Sequence, residues 1–317
     1  MTRKGGGGNQ APSLLDRLAR RMTRETAAAT SGDDADFVRA QISRLARYSR
    51  YFSPSIRGVD NLPDTGPAII VGNHSCIFYM PDVWVVALAI LARRGFEAPV
   101  HPLGYDLLFA LPGVGDFIRK IGVVPARGEK AEEVVRRGEA VLVYPGGDWE
   151  AARPWTARNR IDFHGHKGFI RLALRTGAPI VPVVSQGAHD AIFVVSRGDA
   201  LARRMGLGRL RINVFPILFG PPFGLTPVVV PPVPMPSAVA VEFLPPMRWE
   251  DLAPESSTDP EVVGACYKEV TSTMQSTLDR LRSENPHPVL RGISRLVSGR
   301  STEDTAFRDV LEAATQR

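Results

Sequence analysis

The chain has 317 residues, of which 44% are hydrophobic and 23% charged, and its formal net charge is +6. This composition is ordinary for a folded protein with a substantial core, and the positive charge favours nucleic acid, an anionic membrane or a phosphorylated cofactor as partner. Two cysteines far apart in sequence argue against a disulfide framework and favour a reducing compartment. No uninterrupted apolar run of about 18 residues is present, which argues against a simple spanning helix.

The first part of the chain predicts a tail followed by two helices. Residues 1–12 are glycine-rich and polar, without the apolar core of a signal peptide, so we expect a disordered tail. Residues 13–25 place leucines and arginines at helical spacing and predict a short basic amphipathic helix. That helix would lie on a membrane or dock on the protein's own core. A second helix is expected to begin near Asp33 or Asp34 and to end before Pro54.

Short apolar runs then alternate with helical patterns, which predicts an α/β domain with a mostly parallel central sheet flanked by helices. Strands are predicted in the run that ends at Gly72 and at 97–102, 121–125, 140–144, 179–184 and 238–244. Helices are predicted at 83–93, 105–120 with a break at Pro112, 129–138, 167–176 and 260–284.

Residues 212–236 are strongly apolar but interrupted by many prolines and glycines, so they form neither one straight helix nor a central strand. We expect an exposed loop that inserts into a membrane interface; the alternative is a hairpin covering one end of the core. Residues 286–317 are predicted to pack loosely or to be mobile. The predicted organisation is a disordered tail at 1–12, N-terminal amphipathic helices at 13–56, a single α/β domain at 57–285 and a C-terminal tail at 286–317.

The sequence Val-Gly-Asn-His-Ser-Cys-Ile-Phe-Tyr-Met-Pro-Asp at 71–82 is the first candidate for chemistry. His74 follows a predicted strand, and Asp82 stands at a predicted helix start. Strand carboxyl ends carry the sites of open α/β sheets, and a carboxylate that holds an imidazole orients it as a base. The alternative is a structural loop histidine and an aspartate that only caps a helix.

Two further strand ends carry charged or glycine-rich sequences. Ile-Gly-Val-Val-Pro-Ala-Arg ends at Arg127, which suits phosphate or carboxylate recognition or is simply a solvated charge at a helix start. Pro145-Gly146-Gly147 follows the 140–144 strand, and its backbone amides either bind an anion or an oxyanion or merely form a turn. Glu150 and Arg153 follow within reach of the same site.

These blocks and Pro-Ile-Val-Pro-Val-Val-Ser at 179–185, in this order, resemble the lysophospholipid and glycerolipid O-acyltransferase family over roughly residues 50–250. That family has a His–Asp motif after the first core strand, an Arg-bearing block, a strand followed by Phe-Pro-Glu-Gly, and a Val-Pro-rich strand. The string Gly-Gly-x-x-Glu-Ala at 146–151 looks closest to the branch that includes mono- and diacylglycerol acyltransferases. The resemblance implies a glycerol-acyltransferase-like single domain.

The resemblance also implies roles for individual residues: His74 as general base and Asp82 as its orienting partner. The substrate-binding residues that it implies are Asn73, Arg127, Gly146, Gly147, Glu150 and Arg153. Two features depart from the family pattern. Seven residues instead of four separate His74 from Asp82, and Gly146 replaces the usual glutamate of the third block. The second departure favours a neutral acceptor, while the two arginines keep a phosphorylated acceptor open.

The implied reaction moves a fatty acyl group from acyl-CoA, a co-substrate, to the hydroxyl of a glycerolipid or lysophospholipid. We expect no cofactor and no metal. The expected partners are acyl-CoA, a lipid acceptor and an anionic membrane surface, without nucleic acid. The expected location is peripheral, on the cytoplasmic face of the cell membrane.

The sequence gives less support to other functions. A hydrolase using Ser75 or Cys76 lacks a Gly-x-Ser-x-Gly sequence. A metal site at His164, His166 and His189 lacks a convincing ligand pattern. Nucleic-acid binding has only the net charge behind it. The main alternative is a membrane-bound lipid-binding scaffold of the same fold with impaired chemistry, which the altered His–Asp spacing and the missing glutamate would support.

Overall fold

The computed structural model describes residues 35–75, 78–210, 212–298 and 305–316. The predicted tail, the predicted 13–25 helix and the expected helix start at Asp33 or Asp34 lie outside these residues. The α-helices are α1 Ala35–Arg50, α2 Pro81–Arg94, α3 Asp106–Ala110, α4 Val114–Lys120, α5 Gly128–Arg136, α6 Gly147–Ala151, α7 Gly168–Thr176, α8 Asp199–Arg204, α9 Pro260–Glu284, α10 Pro288–Ser298 and α11 Thr305–Gln316. The strands are β1 Ser55–Arg57, β2 Ala68–Gly72, β3 Val100–Gly104, β4 Val124–Pro125, β5 Ala140–Val143, β6 Ile180–Gln186, β7 Phe193–Ser196, β8 Ile217–Gly220, β9 Gly224–Pro227 and β10 Ala240–Phe243.

Seven strands form one sheet in the order β1-β10-β6-β2-β5-β3-β4. Every neighbouring pair is parallel except β10 and β6, so the predicted mostly parallel sheet is confirmed. β2 lies in the middle and is buried along its whole length, as expected for a strand covered by helices on both faces. Its carboxyl end is therefore the central point of the edge where α/β sheets carry their sites.

The two faces of β2 belong to two separate core layers. Ile70 packs in a cluster with residues of α1, α2 and α11, whereas Ile69 and Val71 pack in a cluster with residues of α5, α7 and α9. This alternation follows from the two-residue period of a strand. The predicted single α/β domain with helices on both sides of the sheet is thus the observed architecture.

The described parts of the segment 286–317 are helical and not loosely packed throughout. They contain α10 and α11, and Phe307 of α11 is fully buried in the core layer that α2 also lines. Phe307, Val310 and Leu311 recur at helical spacing, so one face of α11 covers α2. The prediction of loose packing was wrong for α11, because the apolar face of this helix completes the core.

The apolar segment 212–236 contains the hairpin β8–β9, which pairs with β7 in a second, three-stranded antiparallel sheet. Leu218 is buried against Ile192 and Val194, so one side of the hairpin is packed. Phe223 and Leu225 at its turn are 62% and 64% exposed. The segment is therefore a hairpin with an exposed apolar tip. Among the described residues, no helix combines the length and apolarity that a membrane crossing requires.

Candidate active site

Three neighbouring strands deliver their carboxyl ends to one place. His74 follows β2, Tyr144 follows β5, and Ser185 lies near the end of β6. β2 pairs in parallel with both of the others, so the residues that follow these strands converge at one sheet edge. Asp82, in the first turn of α2, returns to the same edge.

Asp82 faces His74 despite the seven intervening residues. Its Oδ2 atom lies 3.9 Å from His74 Nδ1, which is longer than a hydrogen bond but within ion-pair range. The carboxylate is fully buried and accepts from the Ser75 backbone N–H at 3.0 Å and the Ser185 hydroxyl at 3.5 Å. Asp82 does not cap α2, because the residue before the helix is Met80. The longer loop thus brings the carboxylate back to the histidine.

Three buried polar atoms at this point have no hydrogen-bond partner within the described residues: His74 Nδ1, Asp82 Oδ1 and the Tyr144 hydroxyl. The Tyr144 ring lies against the imidazole of His74, with 5.0 Å between ring centroids. Burial, and then the charge of Asp82, raises the pKa of Tyr144 well above its usual value. The hydroxyl is therefore a neutral donor. Unpaired buried polar groups are uncommon, and a catalytic role is one of the explanations for them.

Sequence reasoning missed Tyr144. The available signal was a polar residue closing the apolar run Ala140–Val143 immediately before the Pro-Gly-Gly turn. Gly72 makes room for it, since a Cβ atom on Gly72 would lie 2.5 Å from the Tyr144 ring. The final residue of β2 is therefore glycine because the aromatic ring of the adjacent strand end occupies the space.

Glu150 and Arg153 hold the backbone of His74 from both sides. The His74 N–H donates to Glu150 Oε2 at 2.8 Å, and Arg153 Nη1 donates to the His74 carbonyl oxygen at 2.9 Å. Both side chains are buried, and Arg153 Nη1 lies 3.4 Å from Glu150 Oε1. These contacts make the pair a brace for the histidine, whereas the sequence had suggested acceptor binding.

The two glycines of the third block differ in what their backbone does. The Gly147 N–H donates to the Tyr144 carbonyl at 3.0 Å, so that amide closes a turn. A Cβ atom on Gly146 would lie 2.4 Å from Glu150 Cβ and 2.9 Å from the Asp162 carbonyl oxygen. Gly146 therefore lets Glu150 approach, and its amide is the remaining oxyanion candidate of the pair.

Asn73 and Arg127 have partners that the sequence did not suggest. Asn73 is buried and exchanges two hydrogen bonds with the backbone of Ser185, at 2.8 and 2.9 Å, which ties the end of β2 to β6. Arg127 follows β4 and pairs with Asp106 at 3.2 Å. β4 is three strands from β2, about 14 Å at the usual strand spacing. The His74 cluster thus includes Asn73 and leaves Arg127 at a distance.

Comparison with known proteins adds to this geometry. A family model described as Acyltransferase matches residues 53–186. An uncharacterized protein of Mycobacterium tuberculosis is 30% identical over 267 residues, which cover 83% of this chain and 72% of that protein. The chain belongs to the glycerolipid acyltransferase family.

Two other similarities complete the comparison. The "DGAT1/2-independent enzyme synthesizing storage lipids" of Gallus gallus is 25% identical over 191 residues, which cover 60% of this acyltransferase and 54% of that protein. A crystal structure of the 1-acyl-sn-glycerophosphate acyltransferase of Thermotoga maritima has a TM-score of 0.45 and 15% sequence identity. The match covers 83% of this chain and 97% of that one.

The three histidines considered for a metal have other contacts in this acyltransferase. His164 stacks on Trp149 with centroids 4.2 Å apart, and His166 Nδ1 lies 2.8 Å from the Pro145 carbonyl oxygen. His189 Nε2 lies 2.8 Å from the Arg153 carbonyl oxygen, and burial lowers its pKa well below the usual value. Within the described ranges, no group of three or more possible ligands surrounds a common point.

Replacing Tyr144 by phenylalanine is expected to stabilise the fold but to lower the activity. Removing a buried hydroxyl that has no partner among the described residues is expected to raise the free energy of unfolding by about 1 kcal/mol. If the hydroxyl donates to a ligand, kcat/KM falls in the same variant. Urea unfolding and initial rates check both effects, and Tyr267→Phe is the control for loss of a phenol elsewhere. Lower stability with unchanged kcat/KM would contradict the assignment.

The stability of the acyltransferase is expected to depend on the proton of Glu150. Burial raises the pKa of this carboxyl from 4.5 to about 7, against the opposing effect of Arg153. A carboxyl that binds its proton more tightly when folded stabilises the fold below pH 4.5 and loses that contribution as the pH rises through 7. This group alone is expected to lower the free energy of unfolding by about 3 kcal/mol across that window.

Urea unfolding at a series of pH values tests this expectation. The difference in the free energy of unfolding between wild type and Glu150→Gln should change by about 3 kcal/mol between pH 4.5 and pH 7. Only the wild type contributes this change, because glutamine does not titrate. A difference that is constant with pH would show that the carboxyl titrates at its ordinary value.

Proposed function

We propose that this acyltransferase transfers a fatty acyl group from acyl-CoA to the hydroxyl of a glycerolipid, with His74 as general base. The observation that carries the proposal is the pairing of His74 with the fully buried Asp82 at the carboxyl end of the central strand, where Nδ1 and Oδ2 are 3.9 Å apart. The brace formed by Glu150 and Arg153 fixes the backbone of the same histidine. Such positioning is what base catalysis requires.

In the proposed reaction, the acceptor oxygen attacks the thioester carbonyl while its proton passes to His74. The new carbon–oxygen bond forms, the carbon–sulfur bond breaks, and the departing thiolate takes the proton from His74. Asp82 stabilises the imidazolium that exists between these two transfers. The Gly146 amide and the Tyr144 hydroxyl are the candidate donors to the oxyanion. No covalent intermediate with the protein is needed.

We favour a neutral acceptor, a monoacylglycerol or diacylglycerol, over a lysophospholipid. Three arginines on the active-site edge are each paired with a carboxylate: Arg153 with Glu150, Arg158 with Asp190, and Arg127 with Asp106. A phosphate would have to compete with these carboxylates. The sequence Gly-Gly-x-x-Glu and the name of the Gallus gallus relative, which refers to storage lipids, support the same choice.

We also propose that the protein works at the cytoplasmic face of a membrane as a peripheral protein. The exposed tip of the β8–β9 hairpin supports this, because large exposed apolar patches mark interaction sites. The hydroxyl of Tyr79 donates to the Pro232 carbonyl at 3.0 Å, which ties the segment after the hairpin to the loop between His74 and Asp82. A membrane that holds this tip would present lipid acceptors to the active-site edge.

The test is acyl transfer from labelled palmitoyl-CoA in mixed micelles that contain one acceptor at a time. The acceptors are lysophosphatidic acid, other lysophospholipids, monoacylglycerol, diacylglycerol and a long-chain alcohol. We expect transfer to monoacylglycerol or diacylglycerol by the wild type and none by His74→Ala. Transfer to a lysophospholipid alone would overturn the choice of a neutral acceptor.

The alternative is a membrane-bound lipid-binding scaffold with impaired chemistry. Its specific support is the long His–Asp loop and a separation of 3.9 Å, beyond hydrogen-bond length. Folded protein that binds vesicles but transfers no acyl group to any acceptor would establish this alternative.

A further inference from the structure

A basic pocket lies beneath α10, away from the His74 cluster. Its volume is about 100 Å³, and its charged lining consists of Arg57, Arg291, Arg295 and Glu284. Arg57 pairs with Glu284 at 2.5 Å, so Arg291 and Arg295 give the pocket its net positive charge. The volume is enough for several waters and therefore for a tetrahedral anion. Guanidinium groups are the side chains best suited to phosphate.

The pocket opens at the same edge of the sheet as the active site. Ser55, which lines it, pairs with Ala240, and Ala240 pairs with Gln186 at the carboxyl end of β6. β6 runs parallel to β2, so this is the edge from which His74 emerges. β1 lies three strands from β2, about 14 Å at the usual strand spacing.

α10 is amphipathic but turns its apolar side away from the protein. Gly292 packs against the main chain at Pro236, so closely that a Cβ atom would lie 2.3 Å from the Pro236 carbonyl oxygen. On the opposite side, Leu290 and Val297 are 65% and 82% exposed, and Ile293 lies between them. Helices on soluble proteins bury such a face against the core.

The arginines and the apolar face belong to the same helix. Arg291 and Arg295 line the pocket, while Leu290, Ile293 and Val297 point outwards. A helix with an apolar face flanked by arginines fits the interface of an anionic bilayer, where the face enters the acyl region and the arginines meet headgroups. An apolar peptide partner would leave the arginine pocket without an anion.

We propose that α10 and the pocket beneath it bind an anionic phospholipid of the membrane. The phosphate group occupies the pocket beside Arg291 and Arg295, and the outward face of α10 sits among the acyl chains. The bound lipid is a docking lipid and not the acyl acceptor, because it lies three strands from His74. This assignment extends the proposed function, in that both direct the active-site edge towards the bilayer.

Vesicle co-sedimentation of the full chain tests the site. The vesicles are phosphatidylcholine alone and phosphatidylcholine mixed with phosphatidylglycerol. Arg291→Gln is expected to weaken binding to the anionic vesicles about fivefold and to leave binding to the neutral vesicles unchanged. The matched control is Arg136→Gln on α5, which loses the same charge at the opposite edge of the sheet and should bind as the wild type does. Equal binding by the two variants would overturn the proposal.

The apolar face is tested separately with Leu290→Ser/Val297→Ser, two exposed positions whose replacement leaves the core intact. This variant should lose at least tenfold in binding to both kinds of vesicle. Wild-type binding by this variant would show that α10 does not enter the bilayer.

Soluble sn-glycerol 3-phosphate distinguishes a lipid from a free phosphate. We expect no calorimetric binding of this compound to the wild type without vesicles. Binding that Arg291→Gln abolishes, with unchanged vesicle affinity, would assign the pocket to a soluble ligand and overturn the lipid site.

Acyl transfer in detergent micelles should be unaffected by Arg291→Gln, whereas His74→Ala should lose transfer and retain vesicle binding. The two variants thus test the docking site and the proposed activity separately.

Discussion

Replacing Arg153 by methionine is expected to lower the free energy of unfolding by about 3–5 kcal/mol at roughly pH 8. In the wild type at this pH the Glu150 carboxyl is above its pKa of about 7 and is charged. Without Arg153, whose charge lowers that pKa, the buried carboxyl either stays charged without its cation or takes up a proton, and both lower the stability. The substitution also removes the hydrogen bond to the His74 carbonyl oxygen. Urea unfolding followed by circular dichroism measures the loss. Acyl transfer is expected to fall in the same variant because His74, the proposed base, loses a backbone hydrogen bond.

A second variant separates the buried charge from the lost packing. Arg153→Met/Glu150→Gln removes the Glu150 carboxylate together with its cation, while the glutamine oxygen still accepts from the His74 N–H. We expect this double variant to recover much of the stability that Arg153→Met loses. Arg203→Met removes an exposed pair with Asp199 and should cost less than about 1 kcal/mol. If the double variant is no more stable than Arg153→Met, Arg153 does not stabilise the fold by compensating the charge of Glu150.

The other large effect concerns the pairing of His74 and Asp82. His74→Ala is expected to lower kcat by about 10²–10⁴-fold, the range for losing a general base. Asp82→Asn should produce a loss of similar size, because an amide does not stabilise an imidazolium, although its oxygen still accepts from the Ser75 N–H. The double variant Asp82→Asn/His74→Ala should be no slower than His74→Ala, since the two residues act as one unit.

Steady-state kinetics with a single acceptor measure these losses, and Asp279→Asn on the exposed side of α9 is the isosteric control. Multiplicative losses in the double variant would mean that Asp82 acts independently of the base. In that case its role would be confined to holding the Ser75 N–H and the start of α2.

The sheet and its flanking helices were predictable because they depend on local patterns. The helix predicted at 260–284 is α9, and the strands predicted at 140–144 and 179–184 are β5 and β6 within a residue or two at each end. α3 and α4 lie on either side of the predicted break at Pro112, whereas β4 covers only the last two residues of the strand predicted at 121–125. Hydrophobic periodicity reports which residues face the core, and in a parallel sheet the strand ends then indicate one functional edge.

The contacts of the site were not predictable in the same way, because they join residues far apart in the chain. Glu150 accepts from the N–H of His74, and Asn73 bonds to the backbone of Ser185 across the sheet. Arginine and glutamate near a glycine turn looked like ligand-binding groups, since a sequence does not reveal whether a charge is buried. Tyr144 looked like the end of an apolar run until the neighbouring strand placed His74 beside it.

The position of α11 in the chain affects when α2 is covered during synthesis. α11 covers α2, and the first turn of α2 carries Asp82. During synthesis α11 leaves the ribosome after every strand of the sheet, so α2 is only half covered while the sheet assembles. The helix that carries Asp82 therefore gains its cover from α11 only after the whole sheet has been synthesised.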